Sequence, residues 1–127
     1  MLRKVPYVAL LVSDQDEALD FYTTVIGFEK RGDYPQPSGP RFLTVGVPGQ
    51  DFDLVLWPGT PGKAKAGSAV YTIEVEDCRA AFETLKSRGV KFDPSEVLEF
   101  PWGYAARFHD PDGNSLQLRE GRGSFRR

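Results

Sequence analysis

The 127 residues contain one cysteine, one histidine and one methionine. A lone Cys78 excludes an internal disulfide and any multi-cysteine metal centre. No histidine precedes His109, so an imidazole-rich metal site cannot be assembled either. Neither sign of charge is in excess: 16 Lys and Arg stand against 18 Asp and Glu, a net charge of -2. The general attraction to phosphate backbones or acidic membranes is therefore missing, and no nucleic acid and no membrane partner is expected. Long apolar runs are missing as well. The opening "MLRKVPYVALLVSDQDEAL" passes quickly into an acidic segment, without a small-residue cleavage site or membrane-spanning length. A soluble, cytoplasmic protein is the expectation. Phosphate-binding loops, nucleophile elbows and dinucleotide fingerprints are not recognisable.

What is there is one domain's worth of chain, able to bury roughly two thirds of its unfolded surface. "VPYVALLV", residues 5–12, is rich in aliphatic and β-branched residues and too short for a lone buried helix, so it predicts a strand. A helix follows. Asp14 can cap it with Glu17 three residues on, Ala18, Phe21, Tyr22, Val25 and Ile26 form one apolar face, and Gly27 can end it in the left-handed conformation. Three strand-like runs come next, "FEKRG" from Phe28, "RFLTVGV" from Arg41 and "FDLVLW" from Phe52. "YPQPSGP" between the first two reads as an exposed loop.

"PGTPGKAKAGS", residues 58–68, has no large apolar side chain and reads as a linker. Beyond it the pattern restarts. "AVYTIEV" predicts a strand, Asp77 a cap, Ala81, Phe82 and Leu85 a helix, and Gly89 its stop. "VSDQDEALDFYTTVIG" and "VEDCRAAFETLKSRG" share the strand-ending valine, the capping aspartate, an alanine four residues later and a terminal glycine. Strands follow again from Val90, Gly103 and Asn114, so each half reads β-α-β-β-β. Two long units are too few for a solenoid. The domain is expected as a module over 5–57, the linker 58–68, a module over 69–120 and a flexible tail over 121–127.

Period-two alternation then sorts the side chains. If Val8, Leu10 and Val12 pack on the first helix, then Tyr7, Ala9 and Leu11 line the opposite face. In the second half Tyr71, Ile73 and Val75 pack inward, which sends Val70, Thr72 and Glu74 the other way. Two such sheets presenting these faces would form an incomplete barrel around a cleft, the default ligand site. Cys78 falls on the apolar face of the second helix and reads as a buried structural thiol. "DPDGN", residues 110–114, reads as a tight hairpin turn that leaves His109 at a strand end in a surface or supporting role.

The doubled β-α-β-β-β pattern, the "VSDQDEALDFYTTVIGF" segment and the "DPDGN" hairpin together resemble the vicinal oxygen chelate superfamily. That group takes in glyoxalase I, extradiol dioxygenases, fosfomycin-modifying enzymes and bleomycin-binding resistance proteins, and the resemblance covers residues 5–120. It implies an α+β fold. In metal-using members the ion is held from the first and last strand of each half, and those positions here carry Tyr7, Asp53, Val70 and Gln117. Valine cannot ligate, and a neutral phenol is a feeble ligand. Asp53 and Gln117 are the oxygen donors left for a divalent metal, fewer than the three or four protein ligands such sites use. A glutamate is usual where Gln117 stands.

The cleft lining expected from the alternation is Tyr7, Ala9, Leu11, Asp53, Val55, Trp57, Val70, Thr72, Glu74, Arg107 and Gln117, with Trp102 or Tyr104 at the rim. Arg107 could clamp a carboxylate or phosphate, or be a surface arginine on an edge strand, or pair with Glu74 or Asp53 as a structural arginine. Glu74 is then either its partner or a general base, and Tyr7 either a proton donor or a core ring. Three functions stay open. The first is a metal-free protein binding a small organic molecule, as bleomycin-binding members do. The second is an enzyme, either a metal-dependent lyase or dioxygenase, or an isomerase using Glu74, Tyr7 and Arg107. The third is an interaction module without ligand. The resemblance also implies a homodimer.

Overall fold

The structure, a computed structural model, describes residues 1–59 and 71–121. Val70, all but the first two residues of the expected linker, and the tail from residue 122 lie outside the described residues. Contacts divide the chain into two units, Met1–Lys63 and Ala64–Arg127.

In the first unit, strand β1 (Tyr7–Val12) alternates as the sequence predicts: Leu10 and Val12 are buried, while Tyr7, Ala9 and Leu11 are exposed. Asp14 then caps α1 (Gln15–Asp20), its Oδ1 accepting from the Glu17 N–H at 2.9 Å. The helix is not regular to its end. Phe21–Ile26 widens into π-helical turns, with the Gly27 N–H reaching back five residues to the Tyr22 carbonyl at 3.1 Å. One cause is local. The Thr23 hydroxyl donates to the Leu19 carbonyl at 2.7 Å and competes with the backbone for it. The widening carries Tyr22 into full burial, its ring 5.7 Å from Phe28, and Gly27 ends the segment at φ +107°.

Strands β2 (Glu29–Tyr34), β3 (Phe42–Gly46) and β4 (Asp53–Pro58) complete a sheet of order β1-β4-β3-β2. β1 runs parallel to β4, and the remaining pairs are antiparallel. Leu10, Val12, Leu43, Val45, Leu54 and Leu56 are buried on the helix side with Ala18 and Tyr22. Each fully buried leucine contributes about 1.5–3 kcal/mol. Gln15 ties the start of α1 to the sheet, its amide donating to the carbonyls of Arg41 (2.8 Å) and Leu56 (2.9 Å). β2 runs two residues further than the sequence indicates and β4 one, because Tyr34 still pairs with Phe42 and Pro58 with Val12.

The second unit repeats this plan. β5 (Tyr71–Glu74) leads to α2 (Cys78–Ser87), capped by Asp77 Oδ1, which accepts from the Ala80 N–H at 3.0 Å. Gly89 sits at φ +94° after the helix, and Cys78, Phe82 and Leu85 are buried along its inner face. With β6 (Leu98–Phe100), β7 (Gly103–His109) and β8 (Ser115–Gly121) the sheet order is β5-β8-β7-β6, again with one parallel pair, β5 with β8.

One strand is displaced from its expected place. The run from Val90 yields only an isolated bridge between Phe92 and Phe108, and Pro94, without an N–H, cannot extend it. The edge strand is instead β6 (Leu98–Phe100), paired with β7 (Gly103–His109). Gly103 is required at that corner: at φ +148°, a Cβ there would lie 1.9 Å from the Glu120 carbonyl oxygen. β8 (Ser115–Gly121) lies between β5 and β7. Two four-stranded sheets, each with a helix on one face and neither closed on itself, make an α+β fold.

Candidate functional site

The sheet face away from α1 carries Tyr7, Ala9 and Leu11 from β1 and Asp53, Val55 and Trp57 from β4, set opposite one another by the parallel register Tyr7 with Asp53, Ala9 with Val55 and Leu11 with Trp57. Tyr7 is 49% exposed and Leu11 42%. Phe42 of β3 adds to this face, meeting the Tyr7 ring edge-on at 5.6 Å. The aromatic and aliphatic character read from the alternation is therefore present along β1 and β4.

Asp53, the polar group among them, is engaged. β2 bulges between Lys30 and Gly32, so Arg31 is the extra residue without a cross-strand mate. Its Nη1 donates to Asp53 Oδ1 at 2.7 Å, its Nε to Glu29 Oε2 at 2.9 Å, and its Nη2 to the Val47 carbonyl. Burial alone would push this guanidinium's pKa down, but the hydrogen bonds and charges of Glu29 and Asp53 outweigh it and hold the value above the ordinary arginine range. Gly46, directly opposite Asp53, makes the room: a Cβ there would sit 2.7 Å from Arg31 Cζ and 3.0 Å from Asp53 Oδ1.

In the second unit the face away from α2 carries Thr72 and Glu74 from β5, Gln117 and Arg119 from β8, Arg107 and Ala105 from β7, and Leu98 and Phe100 from β6. Thr72, Gln117 and Arg107 lie in one row across three strands. Arg107 Nε donates to Gln117 Oε1 at 2.8 Å, and Gln117 Nε2 donates to Thr72 Oγ1 at 3.3 Å. The next row holds Glu74 and Arg119, with Nη1 to Oε1 at 3.8 Å. The Arg119 guanidinium also lies 5.0 Å over the Trp102 ring, and that ring stacks on Phe100 at 5.1 Å with 4° between the planes.

Two expectations are corrected here. Glu74 is not the partner of Arg107, because its cation is Arg119, a residue the sequence reading passed over although it follows Gln117 by two positions on the same strand face. Arg107 likewise does not pair with Glu74; it is fixed by an amide. Tyr104 does not share a face with Arg107. Alternation puts it with Ala106 and Phe108 on the α2 side, where Arg79 of that helix lies 5.1 Å over its ring. Trp102, its companion in the expected rim, does join the open face.

The donors fit a divalent ion poorly. Asp53 already accepts from a guanidinium, whose positive charge opposes a cation at the same oxygen, and the Gln117 amide oxygen is occupied by Arg107. Tyr7 packs against a ring, and Val70 lies outside the described residues. Among the described residues no group of three His, Cys, Asp or Glu side chains is placed to hold a metal. A groove of about 490 Å³ does exist at the end of α2, floored by Phe82, Val90 and Phe92 beside Lys86 and Lys91, but it belongs to the helix side of the second sheet.

Cys78 and the hairpin are structural. Burial, and next the charge of Glu120, push the Cys78 thiol up to about 11, and its own N–H donates to Glu120 Oε1 at 2.8 Å. In "DPDGN" the buried Asp110 accepts at Oδ1 from the N–H groups of Asp112 (2.9 Å) and Asn114 (2.8 Å), and at Oδ2 from the Asn114 amide (2.9 Å). His109 is exposed beside it, across from Ser115.

Tandem β-α-β-β-β modules, each with a helix on one sheet face and a mixed aromatic and arginine-bearing surface on the other, define a class of small α+β proteins in which one scaffold serves unrelated chemistries. The chain belongs to the Glyoxalase/Bleomycin resistance protein/Dioxygenase superfamily, whose family model matches residues 4–118. It is similar to the crystal structure of TnmS3, an antibiotic binding protein from Streptomyces sp. CB03234, with 35% identity, a TM-score of 0.81, and 95% of this chain and 98% of that one covered. A superfamily member from Sphaerobacter thermophilus is similar at 34% identity and a TM-score of 0.80, over 94% and 98% of the two chains. The uncharacterized protein YetH of Bacillus subtilis is 32% identical, over 94% of this chain and all of its own length. No helix among the described residues is long and apolar enough to cross a membrane.

Proposed function

We propose that the protein binds a small organic molecule on its open sheet faces and does so without a catalytic metal. The observation that carries this reading is the pairing of both candidate oxygen donors with arginines, Asp53 with Arg31 and Gln117 with Arg107. A site built to hold an ion converges several oxygen lone pairs on one point, with their hydrogen-bond partners behind them. Here they are spent on guanidinium hydrogen bonds, while the neighbouring surface is supplied by Tyr7, Leu11, Phe42 and Trp57 in one unit and by Phe100 and Trp102 in the other. Aromatic planes with a few fixed polar groups suit organic ligands. The antibiotic-binding activity stated for TnmS3 supports the same class of ligand.

Catalysis is not needed for this role. Glu74 is held near Arg119, and Tyr7 packs against an aromatic edge. The protein is proposed to act in the cytoplasm as a homodimer, a state that sedimentation at several concentrations checks directly. A thermal-shift screen of aromatic and heterocyclic compounds, followed by native mass spectrometry of the hits, tests the binding. The expected result is a one-to-one adduct per chain whose mass is accounted for by the organic compound alone. A screen in which only metal salts stabilise the protein contradicts the proposal.

A further inference from the structure

On the open face of the second unit, Arg107 differs from the other arginines that line these sheets. Arg31 is neutralised by Asp53 and Glu29, and Arg119 faces Glu74. Arg107 has no carboxylate within ion-pairing distance among the described residues, and its Nε donates to the Gln117 amide oxygen at 2.8 Å. That bond sets the direction of the fork. With Nε committed, the edge carrying the two terminal NH2 groups points away from Gln117, and this edge grips a carboxylate with two parallel hydrogen bonds.

Gln117 is itself prevented from turning over. The Arg107 Nε–H, which can only donate, keeps the amide oxygen toward Arg107, and the NH2 then donates to Thr72 Oγ1 at 3.3 Å on the β5 side. The row Thr72, Gln117, Arg107 follows the ladder pairing, so backbone register holds all three in line. On β5, β7 and β8 this face carries two guanidinium groups, Arg107 and Arg119, and one carboxylate, Glu74, and Asp93 stands opposite Arg107 at the edge, its N–H donating to the Arg107 carbonyl at 2.9 Å. His109 and Ser115 are polar neighbours at the hairpin end of the face.

We infer that Arg107 is the anchor for a carboxylate group on the ligand, and that Gln117 is a positioning residue that aims its guanidinium. The inference rests on the reading of this face as a ligand surface and adds the ligand's charge and the group that meets it. The test uses the full-length protein and a matched pair of probes, phenylacetate and phenylacetamide, which differ little in shape but differ in charge. NMR titration at neutral pH and low salt should give the carboxylate at least about a tenfold advantage over the amide, the scale of one charge-assisted bidentate contact. Arg107→Met should abolish that preference and Arg107→Lys should keep part of it. Gln117→Leu should reduce it with little change in melting temperature, and Gln117→Glu should abolish it by supplying an internal carboxylate to the fork. Shifts confined to the neighbourhood of Arg107, Gln117 and Thr72 would place the anion. Equal binding of the two probes, or a preference that survives Arg107→Met, overturns the assignment while leaving small-molecule binding intact. Absence of binding by either probe and by every hit of the wider screen overturns both.

Discussion

Arg31 and Asp53 are joined at 2.7 Å across β2, β3 and β4, and the strand that separates them contributes a glycine, Gly46, at the point where they meet. A bulge supplies the arginine, register supplies the aspartate, and the missing side chain between them supplies the space. A carboxylate that would otherwise be a free oxygen donor is thereby turned into part of the sheet.

Gly46→Ala should therefore act through Arg31. The added methyl group forces the guanidinium off Asp53, and the expected loss is about 1 kcal/mol, at the low end for overpacking because Arg31 can swing away. In an Arg31→Met background the same substitution should cost much less. Denaturant unfolding of the four proteins measures the coupling, and additive effects would show that Gly46 serves some other purpose.

This pair also marks where the sequence stops being legible. The two-module plan was readable because its signals are local: Asp14 and Asp77 cap, Gly27 and Gly89 terminate, and alternation in β1 separates Leu10 and Val12 from Tyr7 and Leu11. A bulge at Arg31 leaves no such mark, since it depends on how β2 and β3 settle their register. The same holds for β6, where the apolar run from Val90 looked the better strand until Pro94 stopped its ladder. Arg119 was within reach of the alternation that found Gln117. Its pairing with Glu74 was not, because parallel register between β5 and β8 decides which residues stand opposite.

Cys78 gives a pH dependence of known sign. Its thiol is pushed up to about 11 in the folded chain, against 9.0 for an ordinary thiol, so the folded state keeps a proton that the unfolded chain releases. The stabilising effect is fully present below pH 9 and is lost as pH rises from there toward 11. Discounted for solvent screening, it amounts to about 1–2 kcal/mol. The difference in unfolding free energy between the native protein and Cys78→Ala, followed across that range, should narrow with rising pH. A constant difference would show that the thiol titrates normally. Native Cys78 should also resist alkylation at neutral pH until the protein unfolds.

Asp110 and His109 are neighbours with opposite expectations. Asp110→Ala removes three hydrogen bonds that close the β7–β8 hairpin, and part-buried N–H groups lose their acceptor, which predicts a loss of about 1–3 kcal/mol. His109→Ala should change stability by no more than about 0.5 kcal/mol, as exposed positions do. Thermal unfolding of the two variants separates the roles, and a large effect at His109 would require a partner for its ring.

The central claim is that organic-ligand binding needs no metal, and titration calorimetry of a screened ligand, run in chelator and again with added divalent ions, measures it directly. The account predicts the same affinity in both conditions, with less than stoichiometric metal in the purified protein by elemental analysis. Binding that vanishes in chelator, returns with one equivalent of a divalent ion, and is lost on substituting Asp53 and Gln117 would contradict it.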